Sequence, residues 1–112
     1  MKLKKVKEIL ASKVIVGKDS LSVEVERGCG SDLMSDVLAY GKPDSLLLTG
    51  LTNPQVIRTA EMADISAIVF VRGKIPPEET IALAKEKQIP ILTTQFSMLE
   101  SCGRLYTEGL LP

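Results

Sequence analysis

The sequence predicts a single α/β domain, a mostly parallel sheet of βαβ units with flanking helices. Three observations predict it. Ser45 to Leu48, Ala67 to Val71 and Ile91 to Thr93 are nearly unbroken aliphatic runs without alternation, as strands buried on both faces require. Each run is followed by a segment with helical periodicity, and strand and helix in repetition build a parallel sheet through right-handed crossovers. The chain of 112 residues, 45% hydrophobic with 4% aromatics, supplies one aliphatic core and no second one. Residues 1–112 are therefore expected to form one domain, with 3–108 as its core and 109–112 as a loose tail.

Each element follows from local pattern. Leu3, Val6 and Leu10 recur at helical spacing between lysines, so Lys4 to Ala11 reads as a short amphipathic helix. Lys13 to Val16 is a short β-branched run, and Leu21, Val23 and Val25 alternate with polar residues at period two. These are expected to be two strands joined through the turn Gly17-Lys18-Asp19-Ser20 as a hairpin or tight connection. Gly28-Cys29-Gly30-Ser31-Asp32 breaks the pattern as a small-residue turn. Ser31 or Asp32 is placed to cap a helix from Leu33 to Tyr40, with Leu33, Val37 and Leu38 inward.

The later helices carry clearer punctuation. Asn53 caps and Pro54 occupies the first turn of a helix over Gln55 to Ala63, whose Val56, Ile57, Ala60 and Ala63 form one stripe. Pro76 and Pro77 open Glu78 to Lys87, where acids begin and lysines end the helix, in accord with its dipole; Ile81, Leu83 and Ala84 point to the sheet. Gln95 or Ser97 starts a last helix to about Tyr106, with Met98, Leu99, Cys102 and Leu105 inward.

Composition removes several function classes. Fourteen Lys plus Arg balance fourteen Asp plus Glu, which lacks the electrostatic footprint of a nucleic-acid binder or membrane-surface protein. No apolar run approaches the ~20 residues of a membrane span, and the amino terminus does not read as a signal peptide. Two cysteines without any histidine exclude the usual zinc sets and suit a reducing, cytoplasmic location. Neither the G-x-x-x-x-G-K-[ST] phosphate loop nor the G-x-G-x-x-G dinucleotide fingerprint occurs. No metal and no cofactor are expected.

In an open parallel sheet the ligand crevice lies beyond the carboxyl ends of the strands. That rule selects Thr49, Gly50, Thr52 and Asn53 after the first buried strand, Arg72 and Gly73 with Lys74 after the second, and Thr93, Thr94 and Gln95 after the third. Hydroxyls, an amide, glycines and cations together suit an anionic group such as phosphate or carboxylate. Each residue also has a purely structural use. Thr49, Thr52 and Asn53 serve turns and caps, Gly50 and Gly73 relieve the backbone, and Arg72 serves a surface ion pair or an anion contact. Cys29 lies near a helix start, which lowers a thiol pKa, but no histidine is available to activate it. Asp32 and Asp36, four apart on one helical face, could hold a cation or be solvated.

Ser45 to Leu105 resembles the DRTGG domain family and the related N-terminal domain of the bacterial HPr kinase/phosphorylase. The likeness is carried by Leu47-Leu48-Thr49-Gly50, the helix from Asn53 to Ala63, Ala67-Ile68-Val69-Phe70-Val71-Arg72-Gly73, Pro77-Glu78-Glu79 and Ile89-Pro90-Ile91-Leu92-Thr93-Thr94. The opening Leu3 to Gly17 is similar to the start of that family, so the likeness spans nearly the whole chain. Gly50-Leu51-Thr52 stands where the family's name motif has Asp-Arg, and Val71-Arg72-Gly73 where it has Thr-Gly-Gly. The resemblance implies a fold like that kinase's N-terminal domain and a noncatalytic regulatory role, often at a dimer interface.

The expected function is thus a stand-alone regulatory domain that binds a small anionic ligand, a nucleotide or phosphometabolite, a protein partner, or both, and forms a homodimer. The alternatives are a pure interaction subunit without a small ligand, and a small enzyme using Cys29 with Asp32 or Arg72.

Overall fold

A computed structural model describes all of residues 1–112. The chain runs α1 (Leu3–Ile9), β1 (Lys13–Val16), β2 (Arg27–Gly30), α2 (Met34–Tyr40), β3 (Ser45–Thr49), α3 (Pro54–Met62), β4 (Ala67–Phe70), α4 (Glu78–Lys87), β5 (Ile91–Thr93), α5 (Met98–Thr107). The five strands form one sheet in the order β1-β5-β4-β3-β2. β2, β3, β4 and β5 are parallel, and β1 closes one edge antiparallel to β5 with an irregularity between Val14 and Val16. The fold is α/β with a mostly parallel sheet.

Alternate residues of the central strands feed two cores. Leu46, Leu48, Val69 and Leu92 pack with Leu3, Val6 and Leu10 of α1, Leu105 of α5 and Leu110. Leu47, Ile68, Phe70 and Ile91 pack on the other face with Val37, Val56, Ile57, Ala60 and Ala84 from α2, α3 and α4. All of β3 and β4 is buried, which explains why these strands read as continuous aliphatic runs.

Five local expectations are corrected. Leu21, Val23 and Val25 form no strand and no hairpin with β1: this segment makes only a single bridge, Lys2 with Glu24. Its carbonyls are used elsewhere, because Leu3 N–H donates to Val23 and Lys4 N–H to Leu21 at 2.8 and 2.9 Å, filling orphan donors at the start of α1. Gly28-Cys29-Gly30, expected as a turn, is edge strand β2 paired in register with Leu46, Leu47 and Leu48. At Gly30 a Cβ would lie 3.0 Å from Cys102 Sγ and 3.2 Å from Met98 Sδ, so the glycine lets α5 approach the sheet. Residues 109–112 are not loose: Leu110 is buried in the core and the Leu111 carbonyl accepts from Gly28 N–H at 3.0 Å.

The fourth correction concerns helix faces. Leu33, Leu38 and Leu99, expected inward, are 57%, 45% and 84% exposed. Neither Ser31 nor Asp32 caps α2; its N-cap position is Leu33, and Ser31 Oγ instead accepts from Leu33 N–H. Ser97 does cap α5, accepting from Glu100 N–H.

Candidate functional site

The helices decide where a crevice can open. α2, α3 and α4 cover one face, whereas α5 crosses to the other face beside α1. The connections therefore diverge between β4 and β5, which is the topological switch point of this sheet. Backbone hydrogen bonds tie the two loops together there. Arg72 N–H donates to the Phe96 carbonyl at 2.8 Å and Gly73 N–H to the Thr94 carbonyl at 2.7 Å.

The threonines of that seam are committed. Thr93 Oγ1–H donates to the Lys74 carbonyl and Thr94 Oγ1–H to the Leu10 carbonyl, both at 2.7 Å, and both side chains are buried. Thr94 Oγ1 also accepts from Phe96 N–H. Arg72 and Gly73 both adopt positive φ, 61° and 67°, so this pair is the turn itself. The Arg72 side chain is exposed and takes part in none of the three ion pairs of the chain. Gln95 lies against Gly73, where a Cβ would meet its Oε1 at 2.6 Å.

Beyond β3 the arrangement differs. Thr49 Oγ1–H donates to Asp32 Oδ1 at 3.1 Å and Gly50 N–H donates to the same oxygen at 2.6 Å. Leu51 N–H in turn donates to Thr49 Oγ1, a side-chain turn that fixes the start of the loop. Lys74 Nζ reaches across from the next loop and donates to the Gly50 carbonyl at 2.9 Å. A Cβ on Gly50 would sit 3.4 Å from Asp32 Oδ1 and 3.6 Å from Lys74 Nζ, so both charged groups flank one bare backbone position. They do not form an ion pair with each other.

Thr52 and Asn53 complete this side. The Thr52 carbonyl accepts from Thr80 Oγ1–H at 2.7 Å, which ties the loop to α4. Asn53 occupies the N-cap position of α3 yet makes no side-chain cap bond, and its side chain is exposed. The structure thus gathers Thr49, Gly50, Thr52 and Asn53 into one loop after β3 and sets Arg72 and Gly73 in the turn that delivers Lys74. Thr93 and Thr94 stand apart, holding the seam.

Two residues gain importance over their place in the sequence reading. Asp32 stood out there only as a cap, a carboxylate beside Asp36 or a partner for Cys29; it is instead the acceptor that closes the Gly50 loop. Lys74 was one cation among two, and it is the one that reaches the neighbouring loop. Both contacts are long-range, over 18 and 24 residues, and no local pattern carries them.

The thiols are not activated. Burial pushes the Cys29 thiol up from its ordinary value, and the Asp36 carboxylate adds to that. Burial also raises Cys102, with Cys29 as the second cause. A nucleophilic thiol requires the opposite shift.

The family model for the DRTGG domain matches residues 5–106. No curated protein gives a significant match. Among solved structures, the chain is similar to the CBS and DRTGG domains of the regulatory region of Clostridium perfringens pyrophosphatase, complexed with the activator diadenosine tetraphosphate. The TM-score is 0.77 at 13% identity, covering 93% of this chain and 45% of that one. The likeness establishes the fold, and the chain spans less than half the length of that structure. No helix is long and apolar enough to cross a membrane.

Proposed function

The chain belongs to the DRTGG domain family, and on that premise we propose that it is a noncatalytic regulatory module whose crevice beyond β3 binds a small anionic ligand, a nucleotide or phosphometabolite. The observation that carries this reading is the bare backbone position at Gly50, which Lys74 Nζ and Asp32 Oδ1 flank at 3.6 and 3.4 Å, with Thr52 and Asn53 following in the same loop. Lys74 has three donors and spends one on the Gly50 carbonyl, leaving the others for an anion. Arg72 adds a second cation in the same turn. Similarity to a regulatory region solved with a nucleotide activator supports the ligand class.

The same groups argue against catalysis. Neither thiol is lowered in pKa, and no histidine is present to exchange a proton near neutrality. The test is calorimetric titration with nucleotides and phosphorylated sugars. Micromolar to millimolar binding that weakens at least tenfold in Lys74→Gln, about 1.4 kcal/mol, supports the site; no heat with any of them removes it.

A second reading, self-association, is favoured by the outer face of α5. Leu99 and Tyr106 are 84% and 61% exposed there and lie seven residues apart, with Cys102 and Gly103 between them. A second copy of this chain suits that stripe, since two antiparallel α5 helices would set Leu99 of each against Tyr106 of the other and Gly103, with open space where a Cβ would lie, at the crossing. An apolar cavity of about 180 Å³ lined by Gly28, Cys102, Tyr106 and Leu110 adjoins it. Light scattering tests this: a dimer that Leu99→Lys converts to monomer supports it, and a monomer at all micromolar concentrations refutes it.

A further inference from the structure

We propose that Asp32 is a built-in occupant of the anion seat at the end of β3, and that the crevice therefore selects phosphate esters bearing free hydroxyls over bare inorganic anions. The inference rests on the reading that the crevice binds a small anionic ligand. A backbone N–H beside a threonine hydroxyl is a pair of donors able to receive one oxygen of an anion. Here both donors, Gly50 N–H and Thr49 Oγ1–H, already converge on Asp32 Oδ1 at 2.6 and 3.1 Å.

The carboxylate comes from outside the loop it closes. It sits 18 residues earlier in the chain, just after β2, so this contact is a product of the parallel pairing that sets β2 beside β3. A carboxylate offers about four lone-pair sites. Oδ1 uses two of them, and Oδ2 accepts no hydrogen bond from the protein while lying 3.5 Å from the Cβ position of Gly50. Lys74 Nζ lies 3.6 Å from that same position with donors to spare.

The crevice therefore presents an acceptor and a donor side by side. A bare phosphate or pyrophosphate can use Lys74 but is repelled by Asp32 at the seat it would otherwise fill. A phosphate ester with neighbouring hydroxyls satisfies both, placing its phosphate toward Lys74 and donating a hydroxyl to Asp32 Oδ2. Nucleotides and sugar phosphates share that chemistry.

The experiment titrates wild-type protein and Asp32→Asn with ADP, ribose 5-phosphate and inorganic pyrophosphate by calorimetry, following the Gly50 amide by NMR. Asn keeps an oxygen for Gly50 and Thr49 but removes the charge, and a second variant, Asp32→Ser, removes both. Wild-type protein is expected to favour ADP or ribose 5-phosphate over pyrophosphate by about tenfold. In Asp32→Asn that preference should fall severalfold, chiefly because pyrophosphate binds more tightly and newly shifts the Gly50 amide. The ADP and ribose 5-phosphate arms tell whether a base contributes. Equal affinities in wild-type protein, unchanged in folded Asp32→Asn or Asp32→Ser, overturn the inference while leaving the ligand site standing. Absence of binding by every compound to wild-type protein overturns both.

Discussion

The seam that joins the loops after β4 and β5 and the junction that joins the β3 loop to Asp32 and Lys74 are built from similar residues, threonines, glycines and charges, yet the first is sealed and the second keeps unspent polar groups. At the switch point, two backbone hydrogen bonds and two buried hydroxyls consume the polar groups that would otherwise meet a ligand. One strand further along, a carboxylate and an ammonium hold a loop from opposite sides and keep spare hydrogen-bonding capacity. A polar residue at a strand end is thus a ligand contact only if the fold leaves it unspent.

That contrast can be broken from the sealed side first. Thr94→Val removes the hydroxyl that serves both the Leu10 carbonyl and Phe96 N–H in a buried place, so it should lower unfolding free energy by about 1–3 kcal/mol. Urea unfolding measures it, and ligand affinity should stay unchanged. Next is Gly73→Ala, which sets a Cβ at positive φ and against Gln95; the strain is worth ~1–2 kcal/mol. A loss under a few tenths would mean the seam is looser than its hydrogen bonds indicate.

Substitutions on the open side should affect stability less and binding more. Asp32→Ala gives up two hydrogen bonds of a solvent-exposed carboxylate and should reduce stability by about 1 kcal/mol. Arg72→Gln should change unfolding free energy by less than ~0.5 kcal/mol, because its side chain holds nothing, while weakening anion binding. A large stability loss in Arg72→Gln would place it with the sealed group.

The smallest effect belongs to the half-buried thiols of β2 and α5. Because Cys29 is raised in the fold, the folded chain keeps its proton to higher pH than the unfolded chain does. Unfolded thiols ionise near ~8.5, so stability should be unaffected at neutrality and fall slightly as pH rises through the ordinary thiol range toward the folded value. Alkylation of native protein by iodoacetamide at neutral pH should be slower than that of free cysteine. Faster alkylation would reopen the enzyme reading.

The fold was largely legible because its central strands and their helices carry strong local signals. Aliphatic runs such as Ala67 to Phe70 cannot be exposed, and Pro54 or Pro77 at a helix start leaves little choice of boundary. The misread parts have weak or contradictory local signals. Leu21, Val23 and Val25 alternate as in a strand, but α1 takes the Leu21 and Val23 carbonyls; Gly28-Cys29-Gly30 has turn composition, but β3 offers a fully buried edge to pair with. Leu33 and Leu99 were placed inward by periodicity alone, and both lie at the beginnings of short helices, where one residue of phase turns a side chain outward.

Local pattern along the chain suffices to specify a one-core α/β domain, its parallel sheet and the loops in which polar groups gather, because hydrophobic periodicity and helix punctuation are properties of short windows. Which of those polar groups stay unspent is settled when the chain closes on itself. The Asp32 to Gly50 and Lys74 to Gly50 contacts join loops 18 and 24 residues apart, and they depend on strand order and on the face to which each helix returns. Hydrogen-bonding capacity at the strand ends is divided by that global arrangement, and no window of the chain contains it.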